Sequence, residues 1–291
     1  MRNGSKTSSF GVVKRENHNA EQFYNSALYS TVKLNCVLDK TTNQVDESNL
    51  NKIFLHTSEQ MAELPNNSVH LMVTSPPYNV TKEYDQNLTL QNYLQLLRNV
   101  FAETYRVLVN GGRACINIAN VGRKPYIPLS DYISKMMIDL GFNHRGEIIW
   151  DKGASASGSC AWGSWMSAAN PCLRDIHEYI LIFSKGDLKR EKKEDDITRN
   201  EFIEWTKSIW SMNTESARRV NHPAPFPIEL PHRLIKLYSF KNDIVLDPFI
   251  GSGTTAVAAL RNNRKFVGYE IDENYKKIAE ARIQNDMNRL F

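Results

Sequence analysis

Two short stretches hold residues whose types and spacing could do chemistry. In Thr74-Ser75-Pro76-Pro77-Tyr78-Asn79, the Ser75 hydroxyl and the Pro76 carbonyl are neighbouring hydrogen-bond acceptors. Proline has no N–H to compete and a fixed φ, so the carbonyl direction is set in advance. Two such acceptors can hold the hydrogens of an amino group and aim its nitrogen lone pair. Tyr78 adds a flat face for a planar ring, worth about 1–3 kcal/mol in stacking. The second stretch is Val245-Leu246-Asp247-Pro248-Phe249-Ile250-Gly251-Ser252-Gly253-Thr254-Thr255. Gly251 and Gly253 permit φ > 0 and let the backbone approach a ligand without a Cβ in the way. Helical N–H groups behind them suit a carboxylate, and Asp247 suits an ammonium. Glu270 follows Asp247 by 23 residues, the offset at which βαβ sites place the carboxylate that grips ribose hydroxyls. No Lys-Ser/Thr follows the glycines, so this is not a P-loop.

The elements that must position these stretches alternate between strand and helix. Lys52–Leu55 and Val69–Val73 read as strands, with a short helix around Gln60–Leu64 and a turn at Pro65-Asn66-Asn67 between them. Tyr93, Leu94, Leu97, Phe101, Tyr105 and Leu108 recur at the helical period, and Gly111-Gly112 is read as the helix stop. Strand 114–119, helix 129–140, and strands 147–150 and 177–183 follow. Residues 185–196 are mixed-charge and poor in apolar side chains, the pattern of a solvated linker. The last third reads as helix 228–238, strand 244–246, an Ala-rich helix, strand 266–269 and a C-terminal helix. Such alternation implies a mostly parallel sheet covered on both faces, with ligands at the carboxyl ends of its strands. Both stretches fall directly after a strand.

The Thr-Ser-Pro-Pro-Tyr loop, the Asp-Pro-Phe-x-Gly-Ser-Gly-Thr-Thr loop and their order, with the former first, resemble the β-class DNA amino-methyltransferases. The resemblance covers most of residues 52–290. It includes the Asn110-Gly111-Gly112 turn, the Trp150 and Ile182-Phe183 strands and the Pro-rich segment from His222. It implies an α/β fold, a circularly permuted Rossmann-like methyltransferase, with a mostly parallel seven-stranded sheet whose one antiparallel strand is His177 to Phe183. The implied plan is an arm and lead-in at 1–50, a catalytic half at 51–152, an inserted strand with the target-recognition region at 153–221, and a cofactor-binding half at 222–291. The implied cofactor is S-adenosyl-L-methionine (AdoMet), held by Asp247, Phe249, Gly251, Ser252, Gly253, Thr254 and Glu270. His222 and Phe226 would line its methionine end. The family often has an Asp after the first strand for the adenine amino group; here the stretch is His56-Thr57-Ser58, and Thr57 is the substitute.

Ser75, Pro76, Pro77 and Tyr78 carry the implied catalysis on a base rotated out of double-stranded DNA. An exocyclic amine is a poor nucleophile because its lone pair is conjugated into the ring, which is why acceptors that pyramidalise it matter. It acidifies sharply once methylated, so no base is needed before attack, and a site with no nearby His or Glu is expected. Ser rather than Asp at position 75 looks like the cytosine-N4 type, with adenine N6 as the alternative target. A DNA-binding protein that has lost catalysis is the alternative of another class, against which intact Ser75, Tyr78, Asp247 and Glu270 argue.

The 291 residues are 41% hydrophobic and 23% charged, with a net charge of +4, ordinary for a soluble globular chain and only mildly suited to a polyanion. DNA contacts are expected from Asn79, Trp162, Trp165, Arg174 and Arg218, with a packed surface loop as the bland reading of the tryptophans. The four cysteines form no metal-spaced pair, so no metal is expected and activity should survive EDTA. No stretch reaches membrane-spanning length, and the N-terminus has no apolar core of a signal peptide. A cytoplasmic, prokaryotic protein, partner of a restriction system, is the implied setting; a homodimer is left open.

Overall fold

Val69–Thr74 runs for six residues with every side chain buried, and a strand covered on both faces belongs inside a sheet. The computed structural model, which describes residues 20–78, 88–153, 161–215 and 226–290, puts it there. Two compact units are distinguished, Met1–Asn35 and Cys36–Phe291. In the first, helix α1 (Glu21–Tyr24) and a following 3₁₀ turn bring the rings of Phe23, Tyr24 and Tyr29 within 5.1–5.3 Å of one another.

Among the described residues, the second unit forms an eight-stranded sheet. Its strands are β1 (Lys52–Leu55), β2 (Val69–Thr74), β3 (Leu108–Ile118), β4 (Phe142–Asp151), β5 (His177–Lys185), β6 (Ile209–Ser211), β7 (Ile244–Asp247) and β8 (Lys265–Glu270). They lie in the order β1-β8-β7-β2-β3-β5-β4-β6. Among the described residues, only β5 runs against its neighbours β3 and β4; the remaining pairs are parallel. The antiparallel strand is the expected one. The expected count of seven is corrected to eight by β6, a three-residue edge strand paired to Ile149–Asp151.

Helices α2 (Leu90–Val107) and α3 (Leu129–Asp139) cover one face. The other carries α4 (Arg199–Trp205), α5 (Glu229–Tyr238), α6 (Thr254–Arg261) and α7 (Glu273–Leu290). Alternation along β2 feeds both layers: Met72 joins the cluster with Leu97, Phe101 and Ile133, whereas Leu71 and Val73 join the one with Leu234, Ala256 and Ala279.

Three local expectations fail for identifiable reasons. Residues 60–64 form turns and no helix, because the segment is spent on contacts: Met61 N–H donates to Glu103, and Arg106 takes the carbonyls of Met61 and Leu64. Gly111-Gly112 does not stop α2, which ends at Val107, but lies inside β3. Gly111 sits at φ +75° with the Lys189 carbonyl 2.7 Å from where a Cβ would be, so its role is to let that segment pass. Residues 185–196 are no free linker either. Arg190 grips Asp243 at 2.6 and 3.0 Å, and Asp196 grips Arg264 at 2.6 and 2.9 Å. The Arg264 side chain is wholly buried and also donates to Asn262 O, Ser239 O and Ser239 Oγ. A buried guanidinium needs all its donors met, and that need pins the charged run.

Candidate active site

The centre of the sheet is a topological switch point. From β2 the chain crosses through α2 to β3 on one side; from β7 it crosses through α6 to β8 on the other. The crevice between two such diverging connections is where open α/β sheets bind ligands. Thr74 and Asp247 end the two adjacent strands, and the Thr74 hydroxyl donates to Asp247 Oδ1 at 2.6 Å across 173 residues of sequence. The two chemically suggestive loops therefore start from one point.

On the β7 side the loop is built by glycine. Gly251 has φ +49° and Gly253 φ +79°, a region other residues enter only with strain. A Cβ on Gly253 would also meet Ala279 Cβ at 3.1 Å, so α6 can approach α7 only with glycine there. Glu270 faces the loop: its Oε2 accepts from Gly251 N–H at 3.0 Å, and its Oε1 from the N–H groups of Ile271 and Asp272 at 2.9 and 3.0 Å. Burial raises its carboxyl above the usual range. Asp247 is fully buried, and burial pushes it up to about 6 although Thr74, Thr255 and the Phe249 N–H oppose the shift. A carboxylate held so dry gains most from a cation. The glycine cradle, the N-terminus of α6 behind it and two carboxylates fit the carboxylate, ammonium and ribose of AdoMet.

The other expected cofactor residues are placed as follows. Ser252 and Thr254 turn their hydroxyls toward α7, where Arg282 donates to them at 3.2 and 2.8 Å, so they offer the crevice backbone rather than side chain. Phe249 and Phe226 are half-buried, each against a different core cluster. Thr57 is exposed on the loop after β1, bonded to Glu59 at 3.2 Å. Its neighbour Ser58 donates to the Pro248 carbonyl at 2.8 Å and ties that loop to the cofactor loop. His222, Asn79 and Arg218 lie outside the described residues.

On the β2 side, Ser75 Oγ is 3.2 Å from Tyr78 Oη, and Pro76 is buried. The expectation of a site with no nearby Glu is corrected here. Glu178, 8% exposed at the start of β5, accepts from Tyr78 Oη at 2.9 Å. Asn117, near the end of β3, donates its Nδ2 to Glu178 Oε2 at 2.5 Å and to Tyr78 Oη at 3.2 Å, with Ser75 Oγ at the edge of its reach at 3.5 Å. Lys152, just past β4, donates to Glu178 Oε1 at 2.5 Å. Burial, with the Glu178 carboxylate beside it, lifts the Tyr78 phenol well above its usual range. Asn117, Lys152 and Glu178 were missed from the sequence. The available signal was a carboxylate inside the apolar strand His177–Phe183, a residue type that is buried only when partnered.

Topology carries the recognition candidates to this same edge, since β4 ends and antiparallel β5 begins there. Lys152 N–H donates to Ile176 O at 2.9 Å and closes the base of the loop. Within it, Trp162 and Trp165 meet edge-on at 5.2 Å, and the Arg174 guanidinium lies 3.7 Å over the Trp162 ring. Trp165 is 65% exposed, so these rings are not core. Arg123, from the loop after β3, clamps the segment through Leu173 O and Asp175 at 3.1 and 2.6 Å.

A family model described as DNA methylase matches residues 69–281, which spans both loops and the sheet between them. The chain belongs to the DNA methylase family. Among the methylase's relatives is the Type II methyltransferase M.MjaI of Methanocaldococcus jannaschii, 33% identical over 292 aligned residues covering 84% of this chain and 95% of the relative. M.MthZI of Methanothermobacter thermautotrophicus, also a Type II methyltransferase, is 32% identical, over 81% of this chain and 77% of its own. Among solved structures, TTHA0409 of Thermus thermophilus, complexed with S-adenosyl-L-methionine, aligns with a TM-score of 0.67 at 30% identity, over 81% of this chain and 93% of that one. The cytosine-N4-specific PvuII DNA methyltransferase aligns at 0.62 with 20% identity, over 81% and 91%; that likeness concerns the fold. The methylase has the permuted fold of the β class, with the Thr-Ser-Pro-Pro-Tyr loop ahead of the glycine loop in the chain.

Proposed function

We propose that the methylase transfers the methyl group of AdoMet to the exocyclic N4 amine of a cytosine rotated out of double-stranded DNA, as the modification partner of a Type II restriction system. The observation that supports this reading is the Thr74–Asp247 contact, which brings the starts of the two loops together at one crevice. When bound, AdoMet supplies an electrophilic sulfonium methyl. Everything else falls to the chain. Asp247 holds the ammonium, the α6 N–H groups the carboxylate and Glu270 the ribose. Ser75 Oγ and the Pro76 carbonyl accept the two amine hydrogens and turn the nitrogen lone pair toward the donor. Trp162, Trp165 and Arg174 meet the duplex, Arg174 through phosphate and the rings through bases.

Serine at position 75 favours cytosine over adenine, and the Type II names of M.MjaI and M.MthZI favour the restriction setting. The test is to express the gene in a host free of other methylases, digest its DNA to nucleosides and weigh them. N4-methylcytosine is expected among the nucleosides. N6-methyladenine would overturn the choice of target, and unmodified DNA the reading as a whole.

A further inference from the structure

The buried network behind Ser75 has a direction, and one residue sets it. Tyr78 has a single hydroxyl hydrogen, and a carboxylate can only accept. The 2.9 Å contact to Glu178 therefore consumes the Tyr78 proton. The neighbouring contact, Ser75 Oγ to Tyr78 Oη at 3.2 Å, then has only one consistent polarity: Ser75 donates and Tyr78 accepts. With its hydrogen turned inward, Ser75 presents lone-pair density to the crevice.

Asn117 behaves in keeping with this. Its amide turns Nδ2 to Glu178 at 2.5 Å, although that leaves its Oδ1 buried with no partner among the described residues. A flipped amide would set oxygen against carboxylate. Lys152 closes the set on the other carboxylate oxygen, so the buried charge is paired, as it must be to persist.

We infer that Glu178 is a positioning residue that acts through Tyr78 to hold Ser75 as a hydrogen-bond acceptor, and so decides that this loop binds an amine rather than a carbonyl or a ring nitrogen. The inference rests on the amine-methylation reading and deepens it. Glutamine at position 178 can offer Tyr78 an N–H, which frees the phenol proton to swing to Ser75 and occupies the lone pair the amine needs. Tyr78→Phe keeps the ring but cuts the link.

The test is a double-mutant cycle on Glu178→Gln and Tyr78→Phe, read as the single-turnover methyl-transfer rate on duplex DNA at saturating AdoMet. Each single change is expected to slow transfer at least tenfold, with the DNA KM and the AdoMet Kd within twofold of wild type. The double variant should be no slower than the worse single one, because both cut one chain. A second cycle, Ser75→Ala with Tyr78→Phe, should be equally non-additive, and it stands if Glu178→Gln fails to fold. Additive losses in either cycle, or losses confined to KM, would overturn the role of Glu178. A wild-type protein with no transfer to DNA would instead overturn the function on which it rests.

Discussion

On the proposed reading, Ser75 and Asp247 divide the labour of the crevice between an acceptor for an amine and a dry carboxylate for a cation. Removing an aligned hydrogen-bonding group at a reacting centre costs roughly 10²–10³ in rate. Ser75→Ala should therefore slow transfer by about that factor while calorimetry finds AdoMet affinity unchanged. Asp247 makes a prediction in pH. Its folded value of about 6 lies above the roughly 3.9 of an unfolded aspartate, so the folded state binds its proton more tightly. Its charge then destabilises the fold above pH 6, and the penalty fades as pH falls from 6 toward 4. Cofactor binding runs the other way, because the ammonium needs the anion: the AdoMet Kd should weaken by roughly tenfold per pH unit below about 6. A titration that is flat from pH 7 to pH 5, or an Asp247→Asn variant that keeps the slope, would count against this. The placement of Ser75, Asp247 and Glu270 at strand ends beside one crevice was legible because each sits in a local strand-and-loop pattern. Glu178 was not, because it reaches Tyr78 only through the antiparallel pairing of β5 with β3, which sets Asn117 against Ile180. Nothing near position 178 in the chain announces that neighbour.

At the scale of elements, the cofactor loop depends on a backbone shape that only glycine enters freely. Gly253→Ala should cost about 1–2 kcal/mol in urea unfolding, from the left-handed φ and the contact with Ala279, and should weaken AdoMet binding in parallel. Unchanged stability would mean the loop tolerates another shape. Arg264→Ala leaves Asp196 without its partner and three further acceptors unmet. A loss of about 3 kcal/mol is expected, with early proteolysis within 185–196; a loss below about 1 kcal/mol would return that segment to a free linker. Strand β2, helix α2 and the β7-α6-β8 unit were readable from apolar period and turn chemistry, since burial of one stripe dictates both. Helix α4 was overlooked although Thr198 and Glu201 form a capping box at its start, a signal written in the sequence. Strand β6 has no such signal: three residues become a strand because the β4 edge offers them hydrogen bonds.

For the molecule as a whole, one edge of the sheet gathers the glycine loop, the Thr-Ser-Pro-Pro-Tyr loop and the Trp162–Arg174 segment, and the proposed function lays a duplex across that edge. Trp162→Ala should weaken DNA binding by about tenfold, the lower part of the 1–3 kcal/mol range for a stacking ring, and leave AdoMet binding untouched. Fluorescence anisotropy on a duplex containing the site checks it, and equal affinity would move the DNA elsewhere. The most direct measurement uses a duplex whose target cytosine carries ¹⁵N at its exocyclic amine, incubated with the methylase and AdoMet and digested for tandem mass spectrometry. The labelled nitrogen should carry the new methyl, and the product should fall by the expected 10²–10³ with Ser75→Ala. A methyl on a ring carbon or on another base, or full yield from Ser75→Ala, would contradict a crevice built to present an amine.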